Sequence, residues 1–264
     1  MEVVVDCVSF KCNNKVIIDN VSFCVGSGIT CVIGECGSGK STLLSLVSGV
    51  LRPSSGKCVI NGINSLNKGI RRGVGVVFQF PEEQFFSSDV YSEVKYALDN
   101  FKLDKNLVYD IFDRMNLDKS LLKRKLSSLS SGEARMIAIA SILVYNPKVV
   151  FFDEPTVGLD MENKKKLIDL IISLKREGKI IFIVSHDIDL LYKISDNVIG
   201  LSNGKLVINS KKENAFNDLK LLIDNNIPIP KIVLFETLVK YKKNIKLMHT
   251  YSINDLIKEV YRNV

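Results

Sequence analysis

Gly34-Glu35-Cys36-Gly37-Ser38-Gly39-Lys40-Ser41-Thr42 is the stretch on which the reading of this chain turns. It follows a short apolar run, Ile29–Ile33, and leads into Leu43, Leu44, Leu46, Val47 and Val50, which recur at helical spacing. Gly-x-x-x-x-Gly-Lys-[Ser/Thr] set between a strand and a helix is the context of a phosphate-binding loop. Its glycines let successive backbone N–H groups converge on phosphate oxygens, and the helix N-terminus adds a favourable dipole. Lys40 has the reach for β and γ phosphates, and Ser41 can offer its hydroxyl to Mg²⁺. Every residue from Gly34 to Thr42 is therefore a candidate nucleotide contact.

Working outward, Val3–Val5, Val74–Phe78, Val149–Phe152 and Ile180–Val184 are further short, β-rich apolar runs of the buried-strand kind. Asn61-Gly62 and Asn203-Gly204 predict tight hairpin turns. Between the third and fourth strand runs the pattern changes. Residues 81–146 carry Leu98, Phe101, Leu103, Val108, Ile111, Phe112 and Met115 at helical spacings and end at Asn146-Pro147. Strands then resume, so the region is expected to be a helical insertion in an α/β sheet. Residues 211–264 form a last segment with ten Lys/Arg against six Asp/Glu. Its Ile227-Pro-Ile-Pro230 stretch should be extended, with helices over about 231–241 and 253–262.

The 264 residues can bury a sizeable core, and 46% hydrophobic with 25% charged residues argues against a disordered or fibrous chain. No apolar run reaches the length of a membrane span. The start, with Glu2 and no basic region, argues against a secretory signal. The net charge of +7 suits an anionic partner. Six cysteines (Cys7, Cys12, Cys24, Cys31, Cys36, Cys58) lie in the first 58 residues without a Cys-x-x-Cys pair or a histidine cluster. That argues against zinc and favours reduced, buried thiols in a cytosolic protein.

Val149-Val-Phe-Phe-Asp153-Glu154 places two acids at the end of a buried strand. After a phosphate loop this pairing has a chemical sense. Asp153 would hold Mg²⁺ through water, and Glu154 would orient and polarise the attacking water. An Asn-Lys-x-Asp guanine-reading element is absent, which disfavours a GTPase.

Further elements carry a family resemblance. Leu129-Ser130-Ser131-Gly132-Glu133, 23 residues before Asp153 when counted from Ser130, looks like the L-S-G-G-Q signature of ATP-binding-cassette (ABC) ATPases. Gln79 resembles their Q-loop, Gly158-Leu159-Asp160 their D-loop, and Ser185-His186-Asp187 their switch histidine. The resemblance spans residues 1–210. It implies an α/β P-loop NTPase (RecA-like) core with an antiparallel β subdomain and an inserted helical signature subdomain. It also implies a head-to-tail dimer sandwiching two ATP molecules, with Ser41, Gln79 and Asp153 around Mg²⁺. Ser130 and its neighbours would then act in trans on the partner's γ-phosphate, His186 would contact γ-phosphate, and Asp160 would be the D-loop aspartate. The signature opens a helix, Gly132–Tyr145, that is apolar nearly all round and so expected to be buried.

Two departures stand out. Ser131 and Glu133 replace the usual Gly and Gln, adding an acid near the phosphates' edge. The family's adenine-stacking aromatic aligns with Cys12; Phe10, on the same strand face, could substitute, and both remain candidates.

Within the family, Phe78-Gln79-Phe80-Pro81-Glu82-Glu83-Gln84 resembles the ATPases of energy-coupling-factor (ECF) transporters, which import vitamins and transition-metal ions. It is closer to their second ATPase type. The resemblance implies a second ABC ATPase as partner, with a heterodimer favoured over a homodimer and both left open. It further implies a transmembrane coupling subunit, a substrate-binding membrane subunit beyond it, and a peripheral position on the cytoplasmic face of the cell membrane. Asp89 and Glu93, four apart on one helical face, would receive basic groups of the coupling subunit. Residues 211–264 would help dimerisation. No nucleic acid is expected. A soluble ABC ATPase uncoupled from transport and a non-hydrolysing scaffold half are the alternative classes.

Overall fold

The computed structural model describes residues 1–243. Ten strands run in chain order: β1 (Val3–Cys12), β2 (Lys15–Val25), β3 (Gly28–Gly34), β4 (Ser55–Ile60), β5 (Ile63–Asn64), β6 (Val74–Val77), β7 (Val149–Asp153), β8 (Ile180–Val184), β9 (Asn197–Ser202) and β10 (Lys205–Lys211). The α-helices are α1 (Lys40–Val47), α2 (Val90–Phe101), α3 (Leu107–Arg114), α4 (Ser131–Leu143), α5 (Met161–Arg176), α6 (Ile188–Ile194), α7 (Lys212–Ala215), α8 (Leu219–Asp224) and α9 (Lys231–Lys243).

Two sheets form. One is antiparallel, in the order β2-β1-β4-β5; the other has the order β10-β9-β3-β8-β7-β6. In the second, β9, β3, β8, β7 and β6 are mutually parallel and β10 closes the edge antiparallel to β9. The parallel strands are buried on both faces, which is why their sequences read as unbroken apolar runs. In β3, Ile29, Cys31 and Ile33 enter the core on the helical side, while Val32 faces the antiparallel sheet and α1. Between the sheets Phe151 stacks on Phe182, ring centroids 4.9 Å apart, with Phe23 at 6.3 Å from Phe182. Removing the Phe182 ring would cost about 3–5 kcal/mol.

Both hairpin turns form as the sequence predicts. Asn61-Gly62 and Asn203-Gly204 take positive φ at both central positions, joining Ile60 to Ile63 and Ser202 to Lys205. The helical insertion leaves the sheet after β6 and returns at β7. Its α4 is buried almost all round and packs against α2 and the one-turn helix Pro81–Gln84. The C-terminal segment is tied to the same body: Ala215, Phe216, Leu222, Ile227, Ile232 and Val233 enter the helical-side core. The Lys231 N–H donates to Asp189 (2.7 Å), and Asn226 Nδ2 reaches Glu35 of the phosphate loop at 3.5 Å. The helix expected at 253–262 lies outside the described residues.

The cysteines correct an expectation. All six are free thiols, but only Cys31 and Cys58 are buried. Cys7 and Cys24 sit on the outward face of the antiparallel sheet, Cys12 at the end of β1, and Cys36 in the phosphate loop, so apolar neighbours in sequence do not enclose them.

Candidate functional site

The strand order does the assembling. β3, β8, β7 and β6 are consecutive neighbours, and at their C-terminal ends stand in turn the phosphate loop, His186, the Asp153–Glu154 pair and Gln79. Such an edge is where open parallel sheets bind ligands. The side chains surround a cavity of about 330 Å³ whose walls include Gly37, Gly39, Lys40, Ser41, Thr42, Gln79, Asp153, Glu154 and His186.

Gly39 caps α1 at φ +100°, and a β-carbon there would meet Ile18 Cδ1 at 2.8 Å and the Ile17 carbonyl at 3.0 Å. Only glycine suits that turn. No side chain caps α1, so its first-turn N–H groups point at the cavity unclaimed. Lys40 is buried, and its Nζ donates to the carbonyls of Gly34 (3.0 Å) and Glu35 (2.8 Å), holding the loop in shape. Burial lowers its pKa, against the raising pull of Cys36, Glu154, Asp153 and Glu35.

Asp153 is also desolvated, which raises its pKa, while a hydrogen bond from Ser41 and the charges of Lys40 and His186 pull it down. Ser41, Asp153 and Gln79 present hydroxyl, carboxylate and amide groups to the same cavity. Hard oxygen donors of this kind fit Mg²⁺. Glu154 holds φ +50°, uncommon for a residue with a side chain, fixed by its N–H bond to Val184 (2.9 Å). Its Oε2 accepts from the His186 N–H (3.2 Å). Its Oε1 is buried without a hydrogen-bond partner, 3.4 Å from His186 Nε2. Burial raises the Glu154 pKa, with the His186 N–H and ring acting in the opposite sense. A carboxyl of raised pKa at the wall of a cavity is the setting of a general base.

The signature is not part of this cavity. Ser130 caps α4, accepting the Glu133 N–H (3.2 Å), while Glu133 Oε2 accepts the Ser130 N–H (2.8 Å), a reciprocal capping box. Glu133 Oε1 pairs with Arg124 at 3.1 Å, and the Ser130 bond and Arg124 hold its carboxyl below the ordinary glutamate range. The acid expected near the phosphates' edge is thus engaged in holding the helix start. Ser131 is the first helical residue, and Gly132 stands against Asn163 and Asp160. Asp160 caps α5, its carboxylate accepting from the Asn163 N–H (2.8 Å) and Nδ2 (3.1 Å).

Two expectations need correction. Glu93 is not an exposed acid: it is 4% exposed, and its Oε2 accepts from the N–H groups of Phe86 (3.3 Å) and Ser87 (3.0 Å). Asp89 does not share a free face with it. It is the N-cap of α2, accepting from Ser92 (2.9 Å), and those bonds lower its pKa. What stands exposed there is an aromatic pair, Phe86 and Tyr96, ring centroids 4.2 Å apart, beside a small cavity also lined by Pro81 and Gln84. Neither Phe10 nor Cys12 lines the phosphate cavity: Phe10 is half-buried on the core and Cys12 exposed at a strand end. Sequence reasoning missed Ile17, whose side chain and carbonyl form the cavity's flank. It is one more apolar residue of a strand, and no pattern marks it. Sequence reasoning also missed Arg135, the one charged residue among the buried positions of α4.

Residues 18–157 match the family model described as ABC transporter. An energy-coupling factor transporter ATP-binding protein EcfA2 of Staphylococcus epidermidis is 36% identical over 241 residues, covering 86% of this chain and 84% of that protein. The EcfA2 protein of Thermotoga maritima is 38% identical over 203 residues, 75% of this chain and 76% of its own. Among solved structures, cbiO1 of Clostridium perfringens, part of the ABC transporter complex cbiONQ, superposes with a TM-score of 0.72 at 29% identity. It covers 88% of this chain and 97% of its own. A dimeric ATP-binding cassette in a post-hydrolysis state with ADP and Pi gives 0.70 at 25% identity, over 80% and 98% of the two chains. With four strand ends converging on one phosphate cavity and relatives of this closeness, the chain belongs to the ABC transporter ATPases, in the group of energy-coupling factor transporter ATP-binding proteins.

Proposed function

We propose that this chain is the ATP-hydrolysing subunit of an ECF-type importer, peripheral to the cytoplasmic face of the membrane. In that role it converts ATP-driven closure of an ATPase pair into uptake of a vitamin or transition-metal ion through membrane subunits. The observation that carries the catalytic half is the convergence of Lys40, Ser41, Glu154, His186 and Gln79 on one cavity at adjacent strand ends.

The first-turn N–H groups of α1 cradle the phosphates, and Lys40 exchanges the Gly34 and Glu35 carbonyls for phosphate oxygens. Ser41, Gln79 and Asp153 would hold Mg²⁺, which neutralises charge on the phosphate oxygens. Glu154 Oε1, the carboxylate oxygen without a partner, takes the proton of the attacking water, and His186 faces the γ-phosphate side. The signature of a second ATPase subunit, head to tail, completes the site, and Ser130 and Gly132 complete that subunit's site in return. This trans reading is supported by Ser130 to Glu133 lying outside the Lys40 cavity.

Docking to a membrane subunit is assigned to the Phe86–Tyr96 pair rather than to Glu93, because that pair is exposed next to the Pro81–Gln84 turn. Exposed Leu234, Phe235 and Leu238 on α9 support a dimerising role for the C-terminal segment. The test is affinity purification of the tagged full-length chain in mild detergent. The reading expects a second ABC ATPase and a polytopic membrane protein in the complex, lost from it when Phe86→Ser and Tyr96→Ser are combined. Recovery without any membrane protein would contradict it.

A further inference from the structure

Arg135 lies one turn into α4 and is 3% exposed, in a helix whose other buried positions are apolar or alanine. Its guanidinium makes a two-pronged pair with Glu82: Nε to Oε2 at 3.2 Å and Nη2 to Oε1 at 2.8 Å. Glu82 belongs to the turn Pro81–Gln84 that follows Gln79. The ring of Phe80 lies 5.5 Å from the guanidinium carbon, covering the pair from the loop side. The remaining nitrogen, Nη1, is buried and has no hydrogen-bond partner. It faces Gly158, where a β-carbon would stand 3.6 Å away and where φ is +75°.

A forked arginine in this position costs desolvation that an apolar residue would avoid. An orphaned buried donor adds to that cost and calls for an explanation. The fold alone gives none, since the neighbouring positions of α4 are filled by apolar side chains. What distinguishes the place is its neighbours. Arg135 stands at the junction of three segments: the Gln79–Gln84 loop, the start of the signature helix and the Gly158–Asp160 loop. The last two lie close together: a β-carbon at Gly132 would stand 3.9 Å from Asp160 Oδ2.

We propose that Arg135 is a positioning residue for ATP hydrolysis. Its fork to Glu82 fixes the signature end of α4 against the Gln79 loop, and its free Nη1 takes a backbone carbonyl of the Gly158 loop when the ATP-bound pair closes. The inference rests on the ABC ATPase reading and not on the identity of any membrane partner. Because Arg135 does not line the Lys40 cavity, its loss spares nucleotide binding by its own chain. It slows the step that needs the signature aligned on the opposing nucleotide, where small misplacements cost about 10–100-fold.

The test uses the full-length chain in whatever ATP-bound assembly it forms, homodimer or mixed pair. Arg135→Lys keeps the charge and loses the fork; Glu82→Gln keeps the shape and loses the counter-charge. Both should stay folded at the assay temperature, with a lowered melting temperature from the disturbed buried pair, and hold the affinity for a fluorescent ATP analogue within about two-fold, with KM unchanged and kcat down at least about ten-fold. The double variant should be no slower than the worse single one, as two halves of one device require. Unchanged kcat in folded single variants would overturn the proposal. So would rate losses that multiply in the double variant, or that only follow lost nucleotide affinity or folded protein. Absence of a membrane subunit from the assembly would leave this result standing while contradicting the transporter reading.

Discussion

Two helix N-termini carry the phosphate chemistry proposed for this molecule, and they are finished in opposite ways. The start of α1 has a glycine N-cap and no side-chain cap, so its first-turn donors are left for a ligand. The start of α4 is closed by Ser130 and Glu133 bonding to each other's backbone, with Arg124 holding the glutamate. There only the N–H groups of Ser131 and Gly132 and the Ser130 hydroxyl proton stay available. An open terminus suits the enveloping of a polyphosphate. A capped one suits a rigid, sparse contact offered to a nucleotide that another chain holds. The difference explains how a serine and a glutamate at signature positions can be accommodated: the glutamate is spent on the helix rather than on the ligand.

The largest effect that would break this contrast lies at the open end. Glu154→Gln keeps size and removes the anionic base, so turnover should fall by about 10²-fold or more while ATP still binds. Wild-type turnover in a steady-state phosphate-release assay would remove Glu154 from its role. Next, Gly39→Ala forces a side chain into left-handed backbone beside the Ile17 carbonyl, about 1–2 kcal/mol of strain. Nucleotide affinity should drop by about ten-fold or more in a titration, with no comparable effect from Gly132→Ala on the same site.

The pH profile sharpens the comparison further. Burial raises the Glu154 pKa, and catalysis needs its anionic form. The rate should therefore be full above that raised pKa and be lost as pH falls through it, at higher pH than for an ordinary glutamate. Glu133, whose carboxyl is held low by its cap, should contribute nothing to that limb. The smallest effect is at the capped end itself. Glu133→Gln preserves the capping bond and removes a charge favourable to the helix dipole, about 0.3–1 kcal/mol in a denaturation curve. A loss of nucleotide affinity at the Lys40 site in that variant would mean the two termini are not separate.

Much of this was legible in the chain itself, for identifiable reasons. Buried parallel strands must be apolar throughout, so Ile29–Ile33 and Ile180–Val184 declared themselves, and the phosphate loop needs particular residues in a particular order. The less legible features depend on which backbone groups a side chain meets. Glu93 and Asp89 have the spacing of a surface pair, yet one serves the N–H groups of Phe86 and Ser87 and the other a helix cap. Ser130-x-x-Glu133 has the pattern of a capping box, but the family comparison made it look like a departure from a ligand contact. Cys7 and Cys24 sit among valines and phenylalanines that face inward while they face out. No local pattern announced the pairing of Arg135 with Glu82, 53 residues apart.

The central claim, that each chain's signature serves the other chain's nucleotide, is tested by single-turnover hydrolysis in mixed dimers with Glu154 or its counterpart in the other chain disabled one at a time. Ser130→Ala removes the hydroxyl donor and the cap together, and a lost donor at comparable oxyanion sites costs about 2.7–4 kcal/mol. The account predicts a loss of about 10²-fold or more at the partner's site, with hydrolysis at the Lys40 site of the same chain directly spared. Loss confined to the Lys40 site, with the partner's site intact, would contradict it.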